Sequence, residues 1–459
     1  MKGFRKSLSA LLITAAMAAT VVVPAVAAGT NYEPIAAQNA KFKKILVIDS
    51  NADIPTLSFD YTVASGTAIA ATATTLPVYA GVGSPTIATV PFSKTTDSVD
   101  SPTKVADHQT ITKDITVSMS GITFSEPGVY RYIITETVPA SRLGGLYYDV
   151  LATNLTSETG RDYKRTLDVY VEDNGTDSSG KKLLKVTGYI LYDGEVTTAP
   201  PSSSSASSGT AITSETTITV DVNAAQTNVV AGETKTDNYM NYYTSQSLTF
   251  GKVVTGNQGS RDKYFKLTLE LTSPVATTVA VDVSNADPSL PSATNLNKAT
   301  DPSYAEATNT TSITLTANTK VTTNFYLQHG QYIIVNGLPI GTVYNLTETE
   351  EGYTKTAGIT AAVSVINWDG VAGNDAMTDP TSGTITLDDG DATTNTDGNI
   401  ETGYTNDKQG VIPTGVLLTM TPVIIVAVVV VAGIAFFAVR SAKRKALELA
   451  DSDSEEEAE

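Results

Sequence analysis

The 459-residue sequence has no cysteine and only two histidines, His108 and His329. Zinc sites of the usual type and Cys or His nucleophiles therefore have almost no material to work with. No metal site and no cofactor is expected, because no glycine-rich phosphate loop is present either. Residues 388–398, DDGDATTNTDG, lack the register of an EF-hand and read as a solvated turn. Basic residues are also scarce, with 30 Lys and Arg against 48 Asp and Glu, for a formal charge of −18. No basic patch tracks a phosphate backbone, so nucleic acid is not an expected partner. Helical periodicity is nearly missing outside the two ends. An enzyme acting on external substrates is not expected.

The ends have a clear character. Residues 1–27 carry Lys2, Arg5 and Lys6, an apolar run from Leu8 to Val23, and then Ala25-Val26-Ala27, the pattern of a cleaved secretory signal peptide. Residues 416–439 form an apolar run long enough to span a bilayer as a helix, and Arg440, Lys443, Arg444 and Lys445 follow it as a cytoplasmic stop in the tail 440–459. An exported chain without cysteine cannot use disulfides, so any covalent reinforcement must come from other chemistry.

Between the ends, short alternating runs separated by turn residues predict an all-β chain of sandwiches, with domains over 28–243 and 244–410. Strands are expected at Phe42–Ile48, Leu57–Val63, Val129–Thr137, Leu167–Val171, Leu183–Tyr192, Thr217–Val222 and up to Tyr243. In the second half they are expected from Leu248, then at Lys266–Leu271, Thr278–Val283, Ser312–Thr316, Thr322–Leu327, Tyr332–Val335, Val343–Thr349 and Tyr404–Asn406. Residues 64–115 read as short strands and long loops, and 199–209, APPSSSSASSG, as an exposed low-complexity insertion. In the Val129 strand, Arg131 is expected on the wet face, with Tyr130, Tyr132, Ile134 and Glu136 on the dry one.

Side chains two apart in a strand share a face. By that parity Lys44 falls inward with Phe42 and Leu46, whereas Lys41 and Lys43 point out. Lys252 falls with Leu248 and Phe250, and Asn241 with Tyr239 and Tyr243. Taken singly, each lysine is as well explained by an edge position, its stem over apolar surface and its ammonium in water. The order Lys44, Glu136, Asn241 is then repeated as Lys252, Glu348, Asn406. Each lysine comes two residues after a phenylalanine and each asparagine two after a tyrosine. The glutamates sit in Ile134-Thr135-Glu136-Thr137 and Leu346-Thr347-Glu348-Thr349. A repeated constellation is the mark of duplicated domains. The chemistry open to it is amide formation between lysine and asparagine. Burial leaves the amine neutral and nucleophilic, and a buried, protonated glutamate polarises the asparagine and shuttles protons as ammonia leaves.

With these residues, the segments FKKILVIDSNADIP, FSEPGVYRYIITET, YMNYYTSQSLTFGKVV, GLPIGTVYNLTETEEGY and GYTNDKQGVIPTG make the chain resemble the streptococcal T-antigen type of backbone pilin, of the pilin isopeptide-linkage family. The resemblance implies two tandem Ig-like sandwiches, crosslinked Lys44–Asn241 and Lys252–Asn406, with Glu136 and Glu348 as the catalytic residues of a reaction that runs once per domain. It weakens at 64–115 and 196–230, where this chain carries insertions. Val411-Ile412-Pro413-Thr414-Gly415 resembles the variant sorting signal of these pilins, departing from LPxTG at its first two positions. It implies cleavage after Thr414 by a pilin-specific sortase and transfer to an amine of the next identical subunit. Lys235, six residues before Asn241, is the expected acceptor, with Lys181, Lys182 and Lys185 as rivals. Tip and basal pilins are further implied partners, and the membrane holds only the precursor before the product reaches the cell wall or pilus. A monomeric wall-anchored adhesin or a basal pilin is the alternative, sharing the signal but not the use of Lys235.

Overall fold

The computed structural model describes residues 32–202, 212–219, 233–285, 309–349, 352–360, 376–387 and 400–410, together with helical residues 430–432, 434–436 and 438–441. The signal peptide, the 411–415 motif, the 388–398 loop, most of 199–209 and the charged tail from 442 lie outside the described residues, as does most of the apolar run. Among the described residues no helix is long and apolar enough to cross a membrane.

The described residues are almost all β. Two compact units divide the chain. In the larger, one sheet runs in the order Lys182–Asp193, Lys164–Thr176, Gly128–Glu136, Tyr61–Ser65, with Val78–Ala80 also paired to Gly128–Glu136. A second sheet runs Leu146–Tyr147, Asn238–Tyr243, Ala40–Asp49, His108–Ser118, Thr86–Ile87. Between them lies one core, to which Phe42, Leu46, Ile115, Tyr132, Ile134, Leu167 and Tyr239 contribute. These side chains recur at every second position within their strands, although the long His108–Ser118 strand begins inside a stretch expected to hold only short strands and long loops. Each such side chain contributes about 1.5–3 kcal/mol on burial. The first and last long strands, Ala40–Asp49 and Asn238–Tyr243, pair in parallel with Lys44 opposite Tyr239 and Leu46 opposite Asn241.

Further along the chain, Ser312–Leu315, Thr277–Asn285, Gln331–Pro339, Ser245–Thr255 and Ile400–Asp407 follow one another in a sheet, and Lys320–Leu327, Phe265–Thr272, Val343–Glu348 and Ser382–Thr384 form another. Phe250 and Phe325, one from each, meet edge to face at 5.3 Å. The smaller unit comprises Val254–Arg261, Glu351–Lys355 and Asn406–Glu459. In it, Gln258 N–H donates to the Lys408 carbonyl at 3.0 Å, and the Thr255 hydroxyl to Asp407 at 2.8 Å.

The strand predicted at Thr217–Val222 is observed only as Thr216–Thr217, with residues from 220 outside the described set. Lys41 and Lys43 do point outward, to Glu215 and Asp114.

Arg131 corrects the expectation of a wet face: it is fully buried. Its Nε and Nη2 donate to the two oxygens of Asp168, its register partner, at 2.7 Å each. Nη1 donates to the carbonyls of Val196 and Thr198 at 3.0 and 2.9 Å. The outer face of this sheet is therefore roofed by the segment that follows the Lys182–Asp193 strand. Beneath it Val78, Val129, Tyr170, Ile190, Tyr192 and Val196 form a second small core. Gly66 makes room for the arginine, since a Cβ there would lie 2.4 Å from Arg131 Cγ. A buried cation needs partners, and Arg131 makes four hydrogen bonds with its five N–H groups.

Candidate functional site

Lys44, Glu136 and Asn241 come together inside the first core. Parallel pairing sets Lys44 and Asn241 on neighbouring strands two residues out of register, hence on one face and within reach of a long side chain. Glu136 arrives from the opposite sheet at the end of the Gly128–Glu136 strand. Lys44 and Asn241 have no exposure and Glu136 has 1%. Glu136 Oε1 accepts from Lys44 Nζ at 2.5 Å, from Asn241 Nδ2 at 3.0 Å and from the Tyr61 hydroxyl at 3.3 Å. One carboxylate oxygen thus touches both the amine and the amide nitrogen. The Asn241 carbonyl, Oδ1, accepts the backbone N–H of Asp149 at 2.8 Å.

Aromatic walls explain how an amine is tolerated here. Lys44 Nζ lies 4.3 Å from the Phe59 ring centroid and 5.9 Å from that of Tyr239. Burial pushes the Lys44 ammonium down to about 8, against the opposing pull of Glu136. Desolvation disfavours the charged form, so an appreciable fraction of the amine is neutral near neutral pH. Burial, with Glu136 beside it, raises the Tyr61 phenol well above its ordinary value and keeps it a donor.

Around this centre lies a charged frame that the side-chain repeats do not point to. Asp149 is buried, and Arg165 grips both its carboxylate oxygens at 2.6 and 3.2 Å. The Arg165 guanidinium lies 4.2 Å from the centroid of the Tyr239 ring. Arg165 was accessible to strand parity, two residues before Leu167 and four before Val169 on an inward face. Asp149 offers its backbone rather than its side chain to the site, and no sequence pattern marks a backbone donor.

In the second triplet Lys252 and Glu348 are brought together, with Nζ 3.2 Å from Glu348 Oε2 and both side chains fully buried. Lys252 Nζ also donates to the carbonyls of Val253 and Tyr404 at 3.3 Å and lies 4.7 Å from the Phe265 ring centroid. Asn406 belongs to the smaller unit and is itself buried, two residues after Tyr404 on the same strand. Lys235 is half-buried beside Tyr192, and burial holds its ammonium below the usual lysine value. Its rivals carry acidic neighbours: Lys181 pairs with Glu33, Lys182 with Asp173 at 3.6 Å and Lys185 with Glu172 at 3.7 Å. Val411, Ile412, Pro413, Thr414 and Gly415 lie outside the described residues.

Residues 246–397 match the model of a family described as a domain of unknown function, DUF7601. No curated protein matches the chain. Among solved structures it is similar to the major pilin from Streptococcus pyogenes, at 20% identity over 82% of this chain and all of that one, with a TM-score of 0.44. It is similar to the T-13 major pilin protein of the same organism at 18% identity, over 83% of this chain and all of that one, with a TM-score of 0.40. A pilus-presented adhesin matches 39% of this chain and 30% of its own length, at 21% identity and a TM-score of 0.21.

Proposed function

We propose that the chain is the major structural subunit of a Gram-positive, sortase-assembled pilus. In this reading it is exported, folds into two tandem Ig-like sandwiches over 28–243 and 244–410, and closes the crosslinks Lys44–Asn241 and Lys252–Asn406 by itself. It is then joined through Thr414 to Lys235 of the next copy. The observation that carries it is the buried contact of a lysine amine and an asparagine amide with one glutamate oxygen. A structural salt bridge has no use for the amide in that place, and a hydrogen-bonded core asparagine has none for the amine.

The chemistry follows from the contacts. Neutral Lys44 attacks Asn241 Cγ, Glu136 carries the proton lost by Nζ to Nδ2 through Oε1, and ammonia departs. Glu348 has the same role beside Lys252. Holding the two reactants on one carboxylate oxygen replaces a bimolecular encounter with an intramolecular one of very large effective molarity. Thr414, in the 411–415 motif before the apolar run and basic stop, supports the covalent assembly.

The intact mass of residues 28–410 tests the crosslinks. Two of them remove two ammonia molecules, about 17 Da each, and changing Glu136 or Glu348 to Ala restores one. An unmodified mass in the parent protein refutes the reading.

A further inference from the structure

We infer that the backbone N–H of Asp149 is an oxyanion donor for the crosslinking reaction at the first site, and that Arg161 and Arg165 are positioning residues that hold it there. The inference rests on the reading of Lys44, Glu136 and Asn241 as a crosslink.

Three observations carry it. The N–H lies 2.8 Å from Asn241 Oδ1. When the Lys44 Nζ lone pair bonds to Cγ, the carbonyl π pair moves onto that oxygen, and when the Cγ–Nδ2 bond breaks it returns as ammonia takes the relayed proton. A donor at 2.7–3.1 Å from the developing charge, in a site closed to water, strengthens as the charge grows. Second, the backbone is turned to make this contact. Leu146 and Tyr147 pair with the Asn241 strand opposite Tyr243 and Tyr242, and Val150 N–H returns to that strand at the Met240 carbonyl. Between them Asp149 has φ +51°, an unusual value for a residue other than glycine, though aspartate is among those that tolerate it. A side-chain carbonyl thus receives this N–H, between the Tyr148 N–H, which donates to Glu158 at 2.6 Å, and the Val150 N–H, which returns to backbone.

Third, the turn is clamped from the far side. Arg161 Nε donates to the Asp149 carbonyl at 2.8 Å and its Nη2 to Oδ1 at 2.9 Å, while Arg165 takes both carboxylate oxygens. Arg161 is tied in turn to Asp193 at 2.6 and 2.8 Å. Burial pushes the Asp149 carboxyl up, but Arg165 and Arg161 outweigh it and hold it below the usual carboxylate range. Asp149 therefore remains ionised and gripped at the pH where Lys44 reacts.

The direct test replaces Asp149 with its α-hydroxy acid in the full chain, made by cell-free translation with lipid nanodiscs. The N–H becomes an ester oxygen while the side chain is kept. Samples are quenched in acid over time, and the Lys44–Asn241 and Lys252–Asn406 crosslinked peptides are quantified separately over the protease-resistant fraction. The first crosslink is expected to form about 100-fold more slowly than in the parent, with the second unchanged. Parent-like formation of the first crosslink overturns the inference while leaving the crosslink reading intact, and no first crosslink in the parent overturns both. If the ester does not fold, Asp149→Asn and Asp149→Ala decide. Asn tolerates the same backbone conformation and keeps an acceptor for the arginines, so it is expected to restore most of the rate that Ala loses. Equal rates for parent, Asn and Ala refute the clamp.

Discussion

Relative to a variant with no amine at position 44, a protein unable to close the first crosslink should gain stability as the pH rises from 8 to 10. Asn241→Ala removes the electrophile and leaves Lys44 to titrate. In the fold, burial pulls its value from 10.5 to about 8, whereas in the unfolded chain it returns near 10.4. Below 8 both states hold the proton, and the folded state bears the full cost of a buried ammonium. Between 8 and 10.5 the unfolded chain binds more protons at Lys44, so the contribution of this residue to stability rises with pH, and above 10.5 both are neutral and the gain ends. The drop corresponds to roughly 3 kcal/mol, of which about 2 kcal/mol is recovered between pH 8 and 10. The window closes there because unfolded tyrosines ionise near 10 while burial raises Tyr61 and Tyr239 well above that. Their contribution has the opposite sign.

Urea denaturation of Asn241→Ala at pH 7, 8, 9 and 10 would be compared with Lys44→Met/Glu136→Gln/Asn241→Ala, which has no amine at position 44. Asn241→Ala should gain about 2 kcal/mol relative to this control over the window. Parallel pH dependences would refute a neutral buried amine, and with it the nucleophile. At pH 7 a value near 8 leaves about a tenth of the amine neutral, against about four in ten thousand for an ordinary lysine.

Asn241→Ala at pH 7 should lose about 5 kcal/mol relative to the crosslinked parent, from the loop-closure entropy of a tie spanning about 200 residues. Urea denaturation checks it, and a loss under 1 kcal/mol contradicts a crosslink at this position. Arg131→Met should destabilise by about 3–5 kcal/mol because it strands buried Asp168, while Arg131→Met/Asp168→Leu should recover most of that. Thermal and urea melts of the two distinguish a buried ion pair from simple packing. Lys235→Ala should abolish the high-mass ladder in wall extracts while leaving the intact mass of the monomer two ammonia molecules short. A persisting ladder would move the acceptor to another lysine.

The first triplet was legible because burial in a strand is a matter of parity, and Lys44, Glu136 and Asn241 each share parity with aromatic or aliphatic neighbours. Parity does not reveal what lies on the other face. Arg131 is on that face as expected, yet it is buried, because Val196 and Thr198 belong to a segment that folds back over the sheet. Its partner Asp168 could be found only from the strand register, which pairs them directly. The low-complexity stretch hid the roof: Pro200, at the head of a run that reads as exposed, is buried and accepts the Leu76 N–H. Asp149 is a different case, because the group it offers belongs to every residue and only the turn makes it special.

The positions of the proposed crosslinks would also determine where a stretched chain can yield. Pulling on a parallel pair of first and last strands shears its hydrogen bonds together, but each is worth only about 1 kcal/mol net. A Lys44–Asn241 amide passes tension directly between the strands, so everything from 45 to 240 is out of the force path. With Lys252 tied to Asn406 as well, the connector 242–251 carries load without a covalent bypass. Asp49 pins its first part, before the Ser245–Thr255 strand pairs with Gln331–Pro339: its carboxylate accepts from the Tyr242 hydroxyl at 2.5 Å, the Thr244 hydroxyl at 3.0 Å, and the Ser245 N–H and hydroxyl at 2.8 and 3.2 Å. Ten residues drawn straight span about 35 Å. Single-molecule pulling of the crosslinked protein should therefore show no extension step longer than this between the two ties, and Asp49→Ala should lower the force at which the connector gives. A step corresponding to release of some two hundred residues would mean that the first sandwich bears the load, contrary to a tie at Lys44 and Asn241.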